Sequence, residues 1–351
     1  MYKHNRHYLI TAITLIIIWL ATTAKSVQNT DKANLPDGYT EHYHNDLRYG
    51  LFIPPFYDSN RSYPLVIYLH GSTDTTSWDL GCYHDPLLSQ DPCIVLTPKS
   101  LVKKGGWGTN WQRKHTPDML KTLQIIAMIR DKYNIDSDRI YICGVSMGGY
   151  GTISALSKEP NLFAAGYSIC GGGNARNVKR LANIPLWLFH GSDDEVVSVK
   201  NSRNIYKAVK KAGGKQIRYT EYRGVGHAAW EPAGKEPSLS YWLLAQRKGA
   251  QHGIPDTVQN LQCEIVGNNV KLVWKLPSDE QNPDNRIWYC RIYRDGELIA
   301  EVDNVYTSYI DSLNAAGKHH YSVSAVNYFF LESPRTKTLT INIPDSTHDK
   351  E

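Results

Sequence analysis

Near its middle the chain reads Ile140-Tyr141-Ile142-Cys143-Gly144-Val145-Ser146-Met147-Gly148, an apolar run that leads into the motif G-x-S-x-G. The apolar run predicts a buried strand, and the residues after the motif are compatible with a helix. A serine on a tight strand-to-helix turn needs neighbours without side chains, because the backbone there is strained and closely packed. The stretch therefore predicts a nucleophile elbow that presents Ser146 at the end of a strand.

On both sides of this motif, residues 64 to about 248 alternate short β-rich runs with longer helical patterns. Such alternation is typical of an α/β protein whose mainly parallel sheet is covered by helices. Together with the elbow it predicts an α/β-hydrolase fold. The predicted strands are Pro64–His70, Cys93–Thr97, Arg139–Cys143, Ala165–Cys170, Pro185–His190 and Ile217–Tyr222.

One predicted helix has clear start signals. Thr116 is a candidate N-cap, Pro117 suits the first helical position, and Asp118 is an early acid. The pattern predicts a helix from there through Tyr133. Its expected buried face consists of Leu120, Leu123 and Ala127, widened by Ile126.

A serine nucleophile needs a base, and the base needs an acid that fixes its tautomer. In this fold the chain order is serine, acid, histidine. Gly224-Val225-Gly226-His227 follows the last predicted core strand, which makes His227 the predicted base. The loop after the strand at 185–190 offers Asp193, Asp194 and Glu195. Spacing alone leaves the three acids open, since such an acid can also cap the next helix.

Two backbone amides are expected to stabilise a developing oxyanion. Met147, directly after the nucleophile, provides one. The second is expected from the turn Tyr68-Leu69-His70-Gly71-Ser72, with Ser72 as the donor and Thr73 as the reserve. We expect His70 to be a structural imidazole that holds this turn rather than a reacting group.

Three tryptophans lie close to these motifs. Trp107 and Trp111 belong to a glycine-rich loop, and Trp230 lies three residues after His227. Exposed indoles beside a hydrolase site stack on sugar rings or aryl groups, so the three are candidate substrate-binding residues. Ordinary core packing is the alternative, and it is stronger for Trp111 than for Trp107.

The N-terminus has the layout of a secretory signal peptide. Lys3 and Arg6 precede the apolar run Leu9–Ala21, and small residues follow up to Ser26. We expect residues 1–26 to be removed, leaving a secreted or periplasmic protein without stable membrane insertion; an uncleaved anchor is the alternative. Removal lowers the formal net charge of +5 by three. The remaining charges are interspersed, which argues against nucleic acid and acidic polymers as partners.

The six cysteines show neither a small disulfide framework nor a C-x-x-C metal pattern. Cys82 and Cys93 flank one loop and could pair. Cys143 and Cys170 each end an apolar run, so buried thiols are at least as well favoured there as a bridge.

After Gln251-His252-Gly253-Ile254-Pro255 the helical periods stop and alternating residues begin. Asp295-Gly296 is a hairpin signal, and the flanking strand patterns predict an antiparallel immunoglobulin-like sandwich. The predicted strands include Val270–Trp274, Ile287–Arg294 and Tyr321–Val326. The expected organisation is a signal peptide (1–26), a catalytic domain (27–250) and a small all-β domain (256–345). We expect the last domain to contribute nothing to the chemistry, so that a chain ending near Lys248 remains active.

The C-terminal stretch resembles a fibronectin type III domain. Residues 40 to about 248 resemble a bacterial family of secreted polysaccharide-associated esterases, related to poly(hydroxyalkanoate) depolymerases, feruloyl esterases and acetylxylan esterases and often labelled prolyl-oligopeptidase-like. Five stretches carry this resemblance: Tyr68–Ser72, Asp136–Tyr141, Gly144–Gly151, His190–Val197 and Gly224–Trp230. The family pattern implies Asp194 as the acid and hydrolysis without metal or cofactor. One departure is Ser198, where the family usually has a proline.

These observations predict a secreted serine carboxylic-ester hydrolase that removes acetyl or feruloyl-type groups from plant polysaccharides through an acyl-enzyme. A serine peptidase is the enzymatic alternative, because the same triad cleaves amides. A carbohydrate-binding scaffold with an inactive hydrolase fold is the non-enzymatic alternative. The complete set of Ser146, Asp194 and His227 argues against that scaffold.

Overall fold

A computed structural model of the protein describes residues 38–72, 91–102, 104–236, 238–250, 253–266, 269–278, 286–312 and 316–343. The predicted signal peptide, Thr73 and Cys82 lie outside these residues. The reserve oxyanion donor and the Cys82–Cys93 pair therefore stay predictions. Within the described ranges, no helix combines the length and apolar character that crossing a membrane requires.

The first part of the chain forms an eight-stranded sheet with helices packed along it. The spatial order is β1-β2-β4-β3-β5-β6-β7-β8. Strands β3 to β8 pair in parallel, and β1 and β2 extend one edge in antiparallel pairing. The elements are β1 (Tyr39–His44), β2 (Leu47–Phe52), β3 (Tyr63–Leu69), β4 (Ile94–Lys99), α1 (Pro117–Lys132), β5 (Ile135–Val145), α2 (Met147–Lys158), β6 (Ala165–Ile169), short 3-10 turns (Ala175–Asn177, Lys179–Asn183), β7 (Leu186–Gly191), α3 (Lys200–Lys211), β8 (Ile217–Tyr222), α4 (Trp230–Gly234) and α5 (Leu239–Ala245).

This architecture is the α/β-hydrolase fold that the sequence predicted. All six predicted strands are present, with ends that shift by a few residues. The hairpin of β1 and β2 was not predicted. Strand β1 reads YTEHYH and has no fully buried residue, so it lacks the apolar run that identified the other strands.

The central strands are buried on both faces, as expected for a parallel sheet between two layers. Every residue of β4, β6 and β7 is buried. Along β3, Leu65 and Ile67 enter one core while Val66 enters the other. Residues of α1, α2 and α3 close the first core. Residues of α5 and of the C-terminal part close the second.

Helix α1 begins as predicted, because the Thr116 side chain accepts a hydrogen bond from the amide of Met119. Its predicted buried face was only half right, because Ile126 is buried and Leu123 packs against the core, but the other two residues do not. Leu120 and Ala127 are exposed, and the buried residues are Met119, Thr122, Ile125, Ile126 and Ile129. Thr122 can occupy the core because its hydroxyl donates to the carbonyl oxygen of Asp118. The buried face of this helix contains a hydrogen-bonded threonine, and its exposed face contains apolar residues. The hydrophobic pattern of the sequence therefore pointed to an orientation of the helix that is only partly correct.

The C-terminal part consists of two antiparallel sheets that share a third core. One has the strand order β13-β10-β9 and the other β12-β11-β14-β15. Asp295 and Gly296 both have positive φ, 53° and 89°, which suits the two-residue hairpin turn predicted there. The strands are β9 (Gln259–Val266), β10 (Asn269–Lys275), β11 (Ile287–Arg294), β12 (Glu297–Asp303), β13 (Ser308–Ser312), β14 (Gly317–Asn327) and β15 (Leu339–Ile343).

Aromatic side chains join the two parts of the protein. Trp187 of β7 lies with its ring centroid 5.0 Å from that of Trp288 on β11. Trp242 of α5 stacks on Phe330, which follows β14, with centroids 5.7 Å apart. Both Trp187 and Trp242 are fully buried. The C-terminal part therefore covers a face of the large sheet that would otherwise be exposed.

The Arg218 guanidinium lies in the middle of this aromatic cluster. Its central carbon is 4.8 Å from the ring centroid of Trp187, 4.5 Å from that of Trp288 and 5.0 Å from that of Tyr289. Glu301 lies 3.8 Å away as a counter-charge. A cation held between rings from both parts of the chain ties β8 to the C-terminal sheets.

The expectation that a chain ending near Lys248 stays active does not fit this interface. Such a chain would expose Trp187 and Trp242, and uncovering roughly 100 Å² of apolar surface on each costs about 2–3 kcal/mol per indole. Gln246 would also lose the hydrogen bond, 2.9 Å long, that its side-chain nitrogen donates to the carbonyl oxygen of Tyr328. The C-terminal part is a structural component of the hydrolase core.

Replacing Arg218 by Ala tests this interface in the whole chain. We expect the variant to unfold several degrees lower, because a desolvated cation over aromatic rings is worth about 2 kcal/mol. Arg113→Ala, which removes an exposed loop arginine, is the matched control. Differential scanning calorimetry provides the measurement, and equal midpoints for the two variants would contradict the proposed role of Arg218.

Candidate active site

The turn between β5 and α2 holds Ser146 in a strained conformation, with φ 53° and ψ −113°. Its neighbours leave no room for side chains. A Cβ on Gly144 would lie 2.6 Å from the carbonyl oxygen of Leu69, and a Cβ on Gly148 would collide with the same oxygen. The two glycines of the motif therefore let the elbow pack directly against the end of β3.

Three side chains from three loops meet at this elbow. The Ser146 hydroxyl lies 3.0 Å from Nε2 of His227. Nδ1 of His227 lies 2.7 Å from Oδ2 of Asp194. A carboxylate in this position holds the proton of a neutral imidazole on Nδ1 and leaves Nε2 free to accept the serine proton. Asp193 points elsewhere, because it is exposed and accepts a hydrogen bond from Ser192.

The side chain of Asp194 is fully buried and yet remains ionised. Burial disfavours its charge, but hydrogen bonds from His227 and from the amides of Val197 and Val196 outweigh that effect and hold the pKa of the carboxyl below its ordinary value. The two amides lie 2.8 and 2.9 Å from Oδ1. Oδ2 is thereby left for the imidazole.

Asp194 also has a neighbour at the end of β7. Nε2 of the buried His190 lies 3.2 Å from Oδ2 of Asp194 and 2.8 Å from the carbonyl oxygen of Val197. On the other side of the ring, Nδ1 lies 2.7 Å from the hydroxyl of Ser202 on α3. Burial holds the pKa of His190 below its ordinary value.

Cys170, His190 and Asp194 bring possible metal-ligand atoms within 4.8 Å of one another. All three are already engaged in hydrogen bonds. Sγ of Cys170 donates to the carbonyl oxygen of His227 at 3.2 Å, and burial raises the pKa of this thiol to about 12. A cation at this position would need a thiolate and would compete with His227 for the carboxylate. These residues fit a hydrogen-bond network better than a metal site.

The predicted oxyanion donors belong to the helix that starts after the serine and to a turn that runs beside it. Met147 is the first residue of α2, and the first N–H groups of a helix have no partner within it. A Cβ on Gly71 would be 3.7 Å from Cβ of Ser146, so the turn that contains Ser72 runs beside the nucleophile position. His70 holds this turn: its Nδ1 lies 2.6 Å from the carbonyl oxygen of Gly71.

Trp107 does not reach the site, and its prediction as a substrate-binding residue was wrong. The side chain is 0 % exposed and its indole N–H donates to the carbonyl oxygen of His70 at 3.0 Å. The glycine-rich loop folds back so that the indole packs against Gly151 of α2. The small residue on the helix creates the space that this indole fills.

The other two tryptophans are exposed. Trp230 is 42 % exposed and lies edge-on to His227, with ring centroids 5.7 Å apart. Trp111 is 50 % exposed and stacks on Tyr150, with centroids 5.9 Å apart. Tyr150 was missed by the sequence reasoning. The sequence feature that could have identified it is its position four residues after Ser146. This spacing places Tyr150 on the same face of α2 as Ser146, one turn further along the helix.

The fold and the elbow define the class: the protein has the α/β-hydrolase fold. Residues 109–233 match the family described as phospholipase/carboxylesterase. This range, about a third of the chain, contains Ser146, Asp194 and His227.

Comparisons with individual proteins point in the same direction. The bifunctional acetylxylan esterase/xylanase XynS20E of Neocallimastix patriciarum is 30 % identical over 147 residues, which are 41 % of this chain and 21 % of that protein. Feruloyl esterase B of Neurospora crassa is 30 % identical over 116 residues, 32 % of this chain and 40 % of that protein. The chain thus spans less than half the length of either relative. A solved structure described as a thermostable esterase is 35 % identical with a TM-score of 0.54, covering 60 % of this chain and 64 % of that one.

Replacing Gly148 by Ala tests the packing of the elbow. We expect the variant either to unfold at a much lower temperature or to lose the alignment of Ser146 with His227, since the added methyl collides with the backbone of β3. Gly234→Ala is the matched control, because a Cβ there meets nothing within 4 Å. Thermal unfolding and hydrolysis of p-nitrophenyl acetate measure the two effects. Wild-type values for Gly148→Ala in both assays would show that the close approach is unnecessary.

Proposed function

We propose that the protein is a serine carboxylic-ester hydrolase. The observation that carries this proposal is the continuous hydrogen-bond chain from Ser146 through His227 to Asp194, mounted on an elbow at the carboxyl end of β5. Such a chain activates a hydroxyl that is otherwise a weak nucleophile. The esterase names of the relatives support the same reaction class.

In the proposed mechanism His227 accepts the proton of Ser146 while the serine oxygen attacks the ester carbonyl. The amides of Met147 and Ser72 stabilise the oxyanion of the tetrahedral intermediate. The intermediate expels the alcohol, which takes its proton from the imidazolium, and leaves an acyl-enzyme. A water molecule, deprotonated by His227, then releases the acid and restores Ser146.

For the substrate we propose an acyl ester, of acetyl or feruloyl type, carried on a plant polysaccharide. Trp111 stacks on Tyr150, which lies one turn of α2 beyond Ser146, and Trp230 lies edge-on to His227. Flat exposed aromatic surfaces of this kind bind sugar and aryl rings. The names of two relatives, an acetylxylan esterase and a feruloyl esterase, fit these ligands. The mechanism uses no metal or cofactor, so activity should withstand chelators.

Two neighbouring aspartates provide a sharp test of the triad. We expect Asp194→Asn to reduce kcat on p-nitrophenyl acetate by about 10⁴-fold, because an amide cannot hold the required tautomer of His227 or stabilise its charged form. Asp193→Asn changes the adjacent exposed carboxylate in the same way and should stay within about twofold of wild type. Steady-state kinetics provide the measurement. Equal losses in the two variants would overturn the assignment of Asp194.

Ser146→Ala and a fluorophosphonate probe complete this test. Wild type should become covalently labelled at Ser146, and the Ala variant should not. Labelling without any ester hydrolysis, combined with cleavage of a proline-containing peptide amide, would favour the peptidase alternative. A folded wild-type protein that takes up no probe would favour the inactive scaffold.

Replacing Trp111 by Ala tests the proposed sugar-binding surface. We expect KM for acetylated xylan to rise roughly five- to tenfold, because one aromatic stacking contact is lost. Turnover of a small ester should change little. Phe56→Ala, which removes a ring that is 94 % exposed on a loop between β2 and β3, is the matched control. An equal effect of both substitutions on KM would argue against a role for Trp111.

We also propose that the chain is exported and that its C-terminal sheets form a fibronectin type III-like domain. The basic and apolar pattern of residues 1–26 supports export. The division of seven strands into sheets of three and four supports the domain type. Tyr321 of β14 adds to this support, because its buried hydroxyl donates to Asp311 across the two sheets.

A further inference from the structure

The buried histidine at the end of β7 is unused by the proposed mechanism, yet it contacts the acid of the triad. We propose that His190 is a positioning residue that donates its Nε2–H to Oδ2 of Asp194 and so fixes the carboxylate against His227. The proposal rests on the proposed function, because it concerns the same acid. It extends the chain of polar contacts to five members, Ser146, His227, Asp194, His190 and Ser202, with the link between Asp194 and His190 being the proposed one.

The surroundings of His190 allow only one arrangement of its protons at neutral pH. Nε2 faces two acceptors, the carbonyl oxygen of Val197 at 2.8 Å and Oδ2 of Asp194 at 3.2 Å, so it must carry the proton. The side chain is fully buried, which disfavours the doubly protonated ring. Nδ1 is then an acceptor, and the hydroxyl of Ser202 at 2.7 Å is its donor.

Ser202 selects this arrangement over its alternative. Its hydroxyl has a second acceptor, the carbonyl oxygen of Gly171, but at the longer distance of 3.3 Å. Donation to Nδ1 of His190 keeps the ring neutral with its proton on Nε2. The tautomer of His190 is thus set from α3, in the same way that Asp194 sets the tautomer of His227.

Three hydrogen bonds hold the carboxylate of Asp194, from the amides of Val196 and Val197 to Oδ1 and from His227 to Oδ2. The Nε2–H of His190, which is shared with the carbonyl oxygen of Val197, faces Oδ2 as a fourth donor at 3.2 Å. With this set of donors the carboxylate cannot rotate without breaking bonds in a buried environment. His190 also draws part of the negative charge of Asp194 away from His227.

Within the part of the chain that the structure describes, two ionisable groups besides the two histidines interact with this carboxylate. They are the thiol of Cys170 and the phenol of Tyr150, and burial raises the pKa of each. Both therefore stay neutral between pH 5 and 8, roughly the range in which histidine titrates. The influence of His190 on Asp194 is thus carried by its N–H group and not by a competing charge.

His190→Asn and His190→Gln form a matched pair for testing this role. Both side chains are neutral amides. Asparagine reaches only the position of Nδ1, where it can accept from Ser202, whereas glutamine can place an N–H where Nε2 of the histidine lies. The fluorophosphonate labelling rate of Ser146 provides a readout that needs no ester substrate. Turnover of p-nitrophenyl acetate across pH provides the second readout.

We expect His190→Asn to slow labelling and to lower kcat by about tenfold or more, the order of one hydrogen bond to a charged group, with KM within about threefold. The acidic limb of kcat/KM should move to higher pH, because a carboxylate with fewer donors attracts the imidazolium of His227 more strongly. His190→Gln should recover most of the rate and the wild-type pH profile. Equal losses in both variants, or losses without any shift of the profile, would show a merely structural role and overturn the proposal.

Ser202→Ala covers the case in which His190→Asn fails to fold. This variant removes the donor to Nδ1 and leaves the ring in place, so labelling should slow in the same direction by a smaller factor. Wild-type labelling and an unshifted pH profile in Ser202→Ala would contradict the proposal. If wild type labels at Ser146 but hydrolyses no ester, the ester proposal fails while the comparison between His190 variants still stands. A folded wild type that does not label would overturn both.

Discussion

The close approach of the α2 N-terminus to the end of β3 is the constraint on which the site depends. Gly148 touches the carbonyl oxygen of Leu69, so the nucleophile turn and the turn that carries Ser72 are held at a fixed spacing by backbone alone. No side-chain rotamer enters into this spacing. The strained backbone of Ser146 is maintained because parallel strands on both sides of β5 leave it no alternative. His227 and Asp194 then approach from the loops that follow β8 and β7.

The sequence predicted those features that follow from a backbone requirement or a strong apolar run. The elbow, six strands, the start of α1 and the Asp295-Gly296 turn are of this kind. The buried face of α1 and the location of Trp107 could not be read in the same way. The burial of Thr122 depends on the hydrogen bond that it donates to Asp118. The burial of Trp107 depends on the space that Gly151 leaves on α2. The choice of Asp194 rather than Asp193 or Glu195 rested on the family resemblance. The contact between Asp194 and His190 became visible only in the folded structure.

The two parts of the chain are divided in sequence but share a core. A mainly parallel sheet needs both of its faces covered, usually by helices. Here residues of strands β11 and β14 contribute to covering one of the two faces. The guanidinium of Arg218 adds cation–π interactions, which require a defined geometry, to the apolar packing at this contact. From Trp187 the aromatic contacts continue to Phe189 and Tyr222, at the ends of the strands that lead to Asp194 and His227. A continuous row of packed aromatic rings therefore connects the C-terminal sheets to the strands that carry the site.

This shared core also sets an order of events during synthesis. The sheet that carries Ser146, Asp194 and His227 is complete once residue 222 has emerged, but Trp288 and Phe330 arrive later. At roughly 5–20 residues per second, the roughly 90 residues between Trp242 and Phe330 take about 4 to 18 seconds, during which the indole of Trp242 lacks its cover. Throughout that interval the nascent chain exposes an apolar surface that the C-terminal strands have not yet covered. Until the last strands have been made, this uncovered apolar surface is where the chain is prone to associate with other chains.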